Sequence, residues 1–368
     1  MDRNMQKSIS ILIPYRNRDE TRIRLVLESL EQQTNKDFNV VLIDYGSSEN
    51  ISLKIENLIN CFDFASYHYV AHPGLLWNKS KALNFGIRHV DSEFVITTDT
   101  DVLFTPDFID EALKLRSENS FSLFKIGYLS KKESSKQYEQ LNLKDSKVMF
   151  IGDTFGIGLF QKKLLEEIGG LDEFFHFYGS EDEDLNARLQ LVGAALKKSE
   201  KLMLYHLWHP RYPRKKDYKL TVNPRLTNVL RINQYHFLQN RANKISFPND
   251  KNWGNCFRKS DMLTLTKPYQ RIKLKNIAAH VVHFFEEELP KYNNEIIEVT
   301  VEEDRYYNSI KYKIKNLMGK HSQPYLSMKT VNDLILKNIL FRYRNCNYCY
   351  EVSTKLKQIN FILDTNKD

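Results

Sequence analysis

The sequence predicts an α/β fold with a mainly parallel sheet flanked by helices, followed by a C-terminal extension that is mostly helical. Two observations carry this expectation. In the first part of the chain, short apolar runs alternate with segments of helical spacing, and that rhythm stops after about Pro213. The runs also end in turn residues or carboxylates rather than continuing as long apolar helices.

The elements follow in order. Ile9, Ile11, Leu12 and Ile13 end at Pro14 and read as a buried strand. From about Thr21 to Gln33, Ile23, Val26, Leu27 and Leu30 keep the spacing of one helix face. Asn39 to Ile43 is a second strand, closed by Asp44-Tyr45-Gly46-Ser47. A helix near Leu53 to Ile59 precedes a strand around Tyr67 to Val70, and Lys79 to Val90 is helical again through Ala82, Leu83, Phe85 and Ile87. The next strand runs from Glu93 into Thr97. Such a βαβ series builds a sheet whose ligands sit beyond the carboxyl ends of its strands, so Pro14, Asp44 and Asp99 point at one crevice. Residues 130–147 are polar with few apolar anchors and read as an exposed excursion. Helices are expected at 276–289 and 331–340, and Pro248-Asn249-Asp250 marks a boundary.

Composition narrows the function. At 368 residues and 42% hydrophobic content the chain can bury a large core. It lacks any run of about 18 apolar residues that would cross a membrane. The start, Met1 to Lys7, leads into a strand without the apolar region of a signal peptide, giving the expectation of a cytoplasmic chain. Cys346 and Cys349 form one Cys-x-x-Cys, but Cys61 and Cys256 offer no second pair, so packing is expected before zinc. The net charge of +8 suits nucleic acid, an anionic membrane surface or phosphorylated ligands. No RNA- or DNA-reading motif is present, so nucleic acid is not expected as a partner.

Six stretches carry candidate chemistry. Asp99 and Asp101, at i and i+2 on an extended segment, share one side of the chain, and two hard oxygen donors at a strand end suit a divalent cation that also holds phosphate oxygens. A solvated turn is the ordinary alternative. Arg16 and Arg18, in the loop beyond the first strand, can reach a diphosphate. Asp44 can accept from a uracil or ribose, or simply form its turn. Lys79 and Lys81 lie near a helix N-terminus that favours an anion, with Trp77 just before it as a candidate packing anchor. In Tyr178-Gly179-Ser180-Glu181-Asp182, Asp182 at a helix start is either a candidate general base or a helix-capping charge. His206 and His209 offer imidazole nitrogen to a transition-metal divalent such as manganese.

Together these stretches resemble the GT-A glycosyltransferases, in particular the β-1,4-galactosyltransferase-like group with its relatives among the bacterial family 2 enzymes. The resemblance covers roughly residues 8–212. Pro14-Tyr15-Arg16-Asn17-Arg18 resembles that group's Pro-Phe-Arg-Asn-Arg nucleotide loop. The segment from Trp77 through Asn78, Lys79, Ser80 and Lys81 to Asn84 resembles Phe-Asn-Arg-Ala-Lys-Leu-Leu-Asn, and Asp99-Thr100-Asp101 resembles its Asp-Val-Asp metal motif. Phe155-Gly156-Ile157-Gly158 is similar to Phe-Gly-Gly-Val, and Tyr178 to Asp182 to Trp-Gly-Gly-Glu-Asp, whose final Asp is the family's base. His206-x-x-His209 is similar to the Met-x-x-His metal pair. The chain departs from the group at Tyr178, Ser180 and Thr154, which stand where Trp, Gly and a pocket Tyr are usual.

The resemblance implies an inverting, metal-dependent transfer of Gal, GalNAc, Glc or GlcNAc from a UDP-sugar to a hydroxyl of a glycan or lipid-linked glycan acceptor. Bacterial surface polysaccharide or glycoconjugate synthesis is the setting it suggests. Asp101 and His209, together with His206, would hold Mn2+ or Mg2+; Asp182 would be the base, with Glu181 beside it. Pro14, Tyr15, Arg16, Arg18, Asp44, Trp77, Asn78, Lys79, Lys81, Asp99, Thr100 and Tyr178 would form the donor site. A non-catalytic carbohydrate- or nucleotide-binding module on the same fold is the alternative, against which stand the retained carboxylates of both acidic motifs. A catalytic domain over 1–245 and a helical accessory domain over 246–368 are expected. Basic and aromatic residues interleave in the latter, as in Lys311-Tyr312-Lys313-Ile314-Lys315 and Phe341-Arg342-Tyr343-Arg344. They suit either peripheral contact with the inner membrane face or packing and self-association with a solvated basic surface.

Overall fold

The computed structural model describes residues 7–210, 214–319 and 324–366. Residues 1–6, on which the expected leaderless start rests, lie outside them, as does Pro213. The chain divides into two compact units. One comprises Met1–Ala71, Trp77–Arg211 and Leu230–Cys256; the other comprises His72–Leu76, Tyr212–Val229 and Phe257–Asp368.

In chain order the first unit contains β1 (Ile9–Tyr15), α1 (Glu20–Glu31), β2 (Phe38–Asp44), α2 (Glu49–Ile59), β3 (Ala65–Tyr69), α3 (Lys79–His89), β4 (Phe94–Thr97), β5 (Val102–Phe104), α4 (Phe108–Leu115) and β6 (Ser120–Leu129). It continues with α5 (Lys131–Glu139), β7 (Val148–Gln161), α6 (Lys162–Glu167), α7 (Glu181–Leu191), β8 (Ala195–His206) and α8 (Val229–Ala242). The eight strands form one sheet in the order β3-β2-β1-β4-β7-β6-β8-β5. β3, β2, β1 and β4 are parallel, as the βαβ rhythm requires. β7 is antiparallel to both β4 and β6, so the sheet becomes mixed beyond the first four strands.

β1 lies between two parallel neighbours, and all seven of its residues are buried, which accounts for its unbroken apolar run. The register pairs Tyr15 with Asp44 and Leu12 with Thr97, bringing three strand ends to one edge. Helix α3 crosses close to that sheet because Gly86 lies in its interior. A Cβ there would lie 2.6 Å from Ile43 Cδ1 and 2.9 Å from Leu12 Cδ1. A helix-interior glycine ordinarily costs about 1 kcal/mol relative to alanine; here it permits the close packing that brings Lys79 to the strand ends.

One expectation is corrected. Residues 130–147 do not form a bare excursion: they contain α5, with Glu133, Ser134 and Gln137 buried. The polar residues are satisfied locally, since Gln137 Nε2 donates to the Asn142 carbonyl (3.1 Å) and Ser146 Oγ (2.9 Å) and its Oε1 accepts the Asn142 N–H. The C-terminal unit has the expected helices near Ala278–His283 and Met328–Asn338, and it also carries a four-stranded sheet. Its strands are β9 (Gln270–Lys275), β10 (Ile296–Glu302), β11 (Tyr348–Val352) and β12 (Gln358–Asp364), in the order β11-β12-β10-β9. Their alternation of apolar and charged residues, as in Ile-Glu-Val-Thr-Val-Glu, has the period of a half-buried strand. In that unit Cys349 packs against Gly74, whose added Cβ would meet its Sγ at 2.4 Å, and burial pushes the thiol up to about 11.

Candidate active site

The edge formed by the strand ends carries two groups of functional side chains. The first surrounds Asp101, which follows β4. The three-residue strand β5 pairs antiparallel with β8, placing Val102 opposite His206, and the Leu207 N–H donates to the Asp101 carbonyl at 2.9 Å. That register brings His206 Nε2 to 3.6 Å and His209 Nε2 to 3.4 Å from the Asp101 carboxylate. One donor atom from each of the three residues lies within 4.8 Å of the others. A carboxylate oxygen and two imidazole nitrogens fit a transition-metal divalent cation. Arg22 of α1 also reaches Asp101, Nη1 to Oδ2 at 3.4 Å, a neighbour that no motif in the sequence signals. Trp208, between the histidines, donates its N–H to Ser134 of α5 at 2.8 Å, so the segment taken for an excursion buttresses this site.

The second group is centred on Lys79, the first residue of α3. Its ammonium lies 3.1 Å from Asp99, 3.7 Å from Glu181 and 3.7 Å from Asp182. Burial works against the lysine charge, but the three carboxylates outweigh it and raise its pKa well above the ordinary value. Burial also opposes ionisation of Asp99, yet Lys79 holds that carboxyl below its ordinary range. Asp182 is pushed up to about 7, chiefly by burial and further by the charges of Glu181 and Asp99, with Lys79 pulling the other way. Gly156 lies directly against the Asp182 carboxylate; a Cβ there would be 2.2 Å from Oδ2.

Helix α7 starts at Glu181 from a contorted loop in which Phe177, Gly179 and Ser180 all have positive φ, at 65°, 102° and 67°. Glu181 Oε2 accepts the Gly179 N–H at 2.8 Å. Two non-glycine residues in the left-handed region cost stability and persist only where surroundings impose them. The surroundings are a set of buried polar side chains. Asn78 donates to the Glu173 carbonyl and Asn84 to that of Leu171, each at 2.8 Å. Asn249 donates to the carbonyls of Gly169 and Leu171, and Asn233 of α8 to those of His176 and Tyr178. His236 and Asn240 of the same helix meet Asp172 at 2.8 and 2.9 Å. Asp172 is lowered in pKa although its burial acts to raise it, because His236 hydrogen-bonds it. Residues 233, 236 and 240 share one face of α8; polar residues at that spacing are the only sequence signal this anchoring has.

The remaining expected residues fall into two classes. Arg16 and Arg18 lie in the loop after β1, with Arg18 exposed. Asn17 ties this loop to the one after β2: its N–H donates to Ser47 Oγ at 2.8 Å and its Oδ1 accepts the Ser48 N–H at 2.9 Å. Trp77 meets Tyr45 edge-on at 6.0 Å, and its carbonyl accepts the Phe177 N–H. Tyr178 is half-buried in the loop before α7. Other residues are committed to the framework. Pro14 and Tyr15 are buried in β1, and the Tyr15 hydroxyl donates to the Arg18 carbonyl. Asp44 is fully buried, accepting from Ser47 N–H and Tyr67 OH at 2.8 Å each; burial raises its pKa. Thr100 is buried. The buried Lys81 ammonium lies 3.6 Å from Glu173. Thr154 meets the carbonyls of Phe124 and Ile157.

Residues 10–170 match the family described as Glycosyl transferase family 2, and residues 134–210 match that described as the N-terminal domain of galactosyltransferase. An uncharacterized glycosyltransferase of Rickettsia felis is 29% identical over 134 residues, 36% of this chain and 21% of that protein. The hyaluronan synthase of Pasteurella multocida is 26% identical over 240 residues, covering 54% of this chain and 24% of the synthase. The structure of S. aureus TarS 1–349 aligns with a TM-score of 0.42 and 18% identity, over 54% of this chain and 60% of that one. This chain therefore spans less than a quarter of the length of the two curated relatives named here.

Proposed function

We propose, on the premise that this chain carries a glycosyltransferase family 2 domain of the GT-A type, that it is an inverting, metal-dependent transferase of a hexose or N-acetylhexosamine from a UDP-sugar to a glycan hydroxyl. The observation that carries the reading is the pair of clusters at one sheet edge: Asp101 with two imidazoles, and Asp182 with its carboxyl pushed up to about 7. Asp101, His206 and His209 would hold Mn2+ or Mg2+. When bound, such a cation supplies positive charge to the diphosphate of the leaving UDP.

The chain's own residues supply the rest. Arg16 and Arg18, in the loop after the first strand, would hold the diphosphate. Asp99, held by Lys79, orients the ribose or the transferred sugar. Asp182 takes the proton from the acceptor hydroxyl as its oxygen bonds to the anomeric carbon and the bond to UDP breaks; its pKa near neutrality suits a general base. Attack opposite the leaving group inverts the anomeric centre. In this reading residues 1–245 perform the chemistry, the segment around Asn249 helps anchor the loop before α7, and the rest of 246–368 is accessory. The acceptor is a glycan or lipid-linked glycan of bacterial surface polysaccharide or glycoconjugate synthesis, met in the cytoplasm at the inner membrane face. A screen of UDP-Gal, UDP-GalNAc, UDP-Glc and UDP-GlcNAc for manganese-dependent donor hydrolysis tests the reading. Hydrolysis of one donor supports it; binding of UDP without turnover of any donor favours a non-catalytic module.

A further inference from the structure

We propose that the helix Ile310–Leu317 is a docking surface for an anionic lipid bilayer. One side of this helix is firmly held. Ser309 caps it by accepting the Tyr312 N–H, and Tyr312 is buried among the rings of Tyr306, Tyr307 and Tyr325 at centroid distances of 5.6, 5.7 and 5.1 Å. The apolar residues on its other side are uncovered: Ile310 is 76% exposed, Ile314 52%, Leu317 90% and, just past the helix end, Met318 59%. Spacing of four, three and one residues makes these a single stripe. Isolated exposed apolar residues need no explanation, but a contiguous stripe on an ordered helix marks a contact surface.

Charge selects the occupant. From Arg305 to Asn332 the sequence has six lysines and arginines and no aspartate or glutamate. Lys311 and Lys313 are exposed and Lys315 is half-buried. A second copy docking through the same stripe would set these lysines against their own equivalents, which opposes association. A bilayer with anionic headgroups satisfies both features, receiving the apolar stripe at the acyl boundary and the ammonium groups at the headgroups. At eight residues the helix would lie in the interface, and no described helix is long and apolar enough to cross a membrane. The inference deepens the membrane part of the proposed function and rests on it only for the purpose of the contact. Vesicle binding and UDP binding are separate readouts, so either can fail without the other.

The test is co-sedimentation of the 368-residue chain with vesicles of equal parts phosphatidylglycerol and phosphatidylcholine, and with phosphatidylcholine vesicles alone. Binding to the anionic vesicles should be about tenfold or more tighter and should weaken with salt. Leu317→Asp, and separately Lys311→Glu with Lys313→Glu, should each reduce it by roughly tenfold while leaving the melting temperature and UDP affinity unchanged. Absence of binding to anionic vesicles, or undiminished binding by Leu317→Asp, overturns the proposal. So does a dimer in sedimentation velocity that Leu317→Asp converts to monomer without any vesicle binding, which would assign the stripe to a second copy.

Discussion

Asp101 stands among nitrogens, while Asp182 stands among carboxylates. Arg22, His206 and His209 approach Asp101 at 3.4 to 3.6 Å. Asp182 is half-buried beside Glu181 with Asp99 nearby, and Lys79 offsets their charges. In the proposed function the same side chain would serve two tasks: as a carboxylate that would share a cation with imidazoles, and as a carboxyl that would take up a proton near neutral pH. The two sites also differ in how they are built. Asp101 and its partners are joined by a short antiparallel register, whereas Asp182 depends on a loop anchored from α3, α8 and the segment around Asn249.

Breaking each site separately should produce opposite failures. Asp101→Ala is expected to abolish metal-dependent UDP binding, measured by calorimetry with manganese and UDP; unchanged affinity would remove Asp101 from the metal site. Asp182→Asn should leave that binding intact and lower turnover by roughly a hundredfold or more, the scale of losing a general base. Near-normal turnover would move the base to a neighbour. Glu181 would be the next choice, since Asp184 is buried and ion-paired with Arg188 at 2.6 Å.

A gentler perturbation sharpens the comparison. Gly156→Ala adds one methyl group at a point 2.2 Å from Asp182 Oδ2, so the carboxylate must move. A displacement of about 1 Å can cost a hundredfold in rate, and turnover is expected to fall by on the order of tenfold to a hundredfold with manganese–UDP affinity retained. Loss of both would mean that Gly156 supports the whole edge rather than Asp182.

The sequence made these two sites unequally legible. Asp99, Asp101, Glu181, Asp182, His206 and His209 sit in short local patterns, and the βα rhythm already brought the strand ends together. Arg22 was not legible because a single arginine on an amphipathic helix reads as solvated surface until the fold lays α1 beside Asp101. Asn233, His236, Asn240 and Asn249 were missed for a related reason. They bond to backbone carbonyls or to Asp172, and such partners, many of them more than fifty residues away, leave no spacing to recognise. Lys79 and Lys81 looked equivalent at two residues apart, yet the turn of α3 gives one to the carboxylate cluster and the other to Glu173. The C-terminal strands did show period-two alternation, but their lysine- and asparagine-rich setting favoured a helical reading.

The smallest expected effect tests the lysine at the centre of the Asp182 site. With Asp182 as base and its pKa at about 7, kcat/KM should fall roughly tenfold per pH unit on the acid side of neutrality, because only the deprotonated carboxylate accepts the acceptor's proton. Lys79 opposes the burial and like-charge effects that raise this pKa. Replacing it in Lys79→Met removes the opposing charge, so Asp182 retains its proton to higher pH. The acid limb should then move upward by about one unit or more, with turnover partly restored on the alkaline side. Lys79→Arg, which keeps the charge, should leave the limb near its original position. A different outcome assigns Lys79 elsewhere: an unmoved limb with a raised KM for the UDP-sugar would mean that its ammonium serves the donor phosphates, and that Asp182 is tuned by burial and its carboxylate neighbours alone.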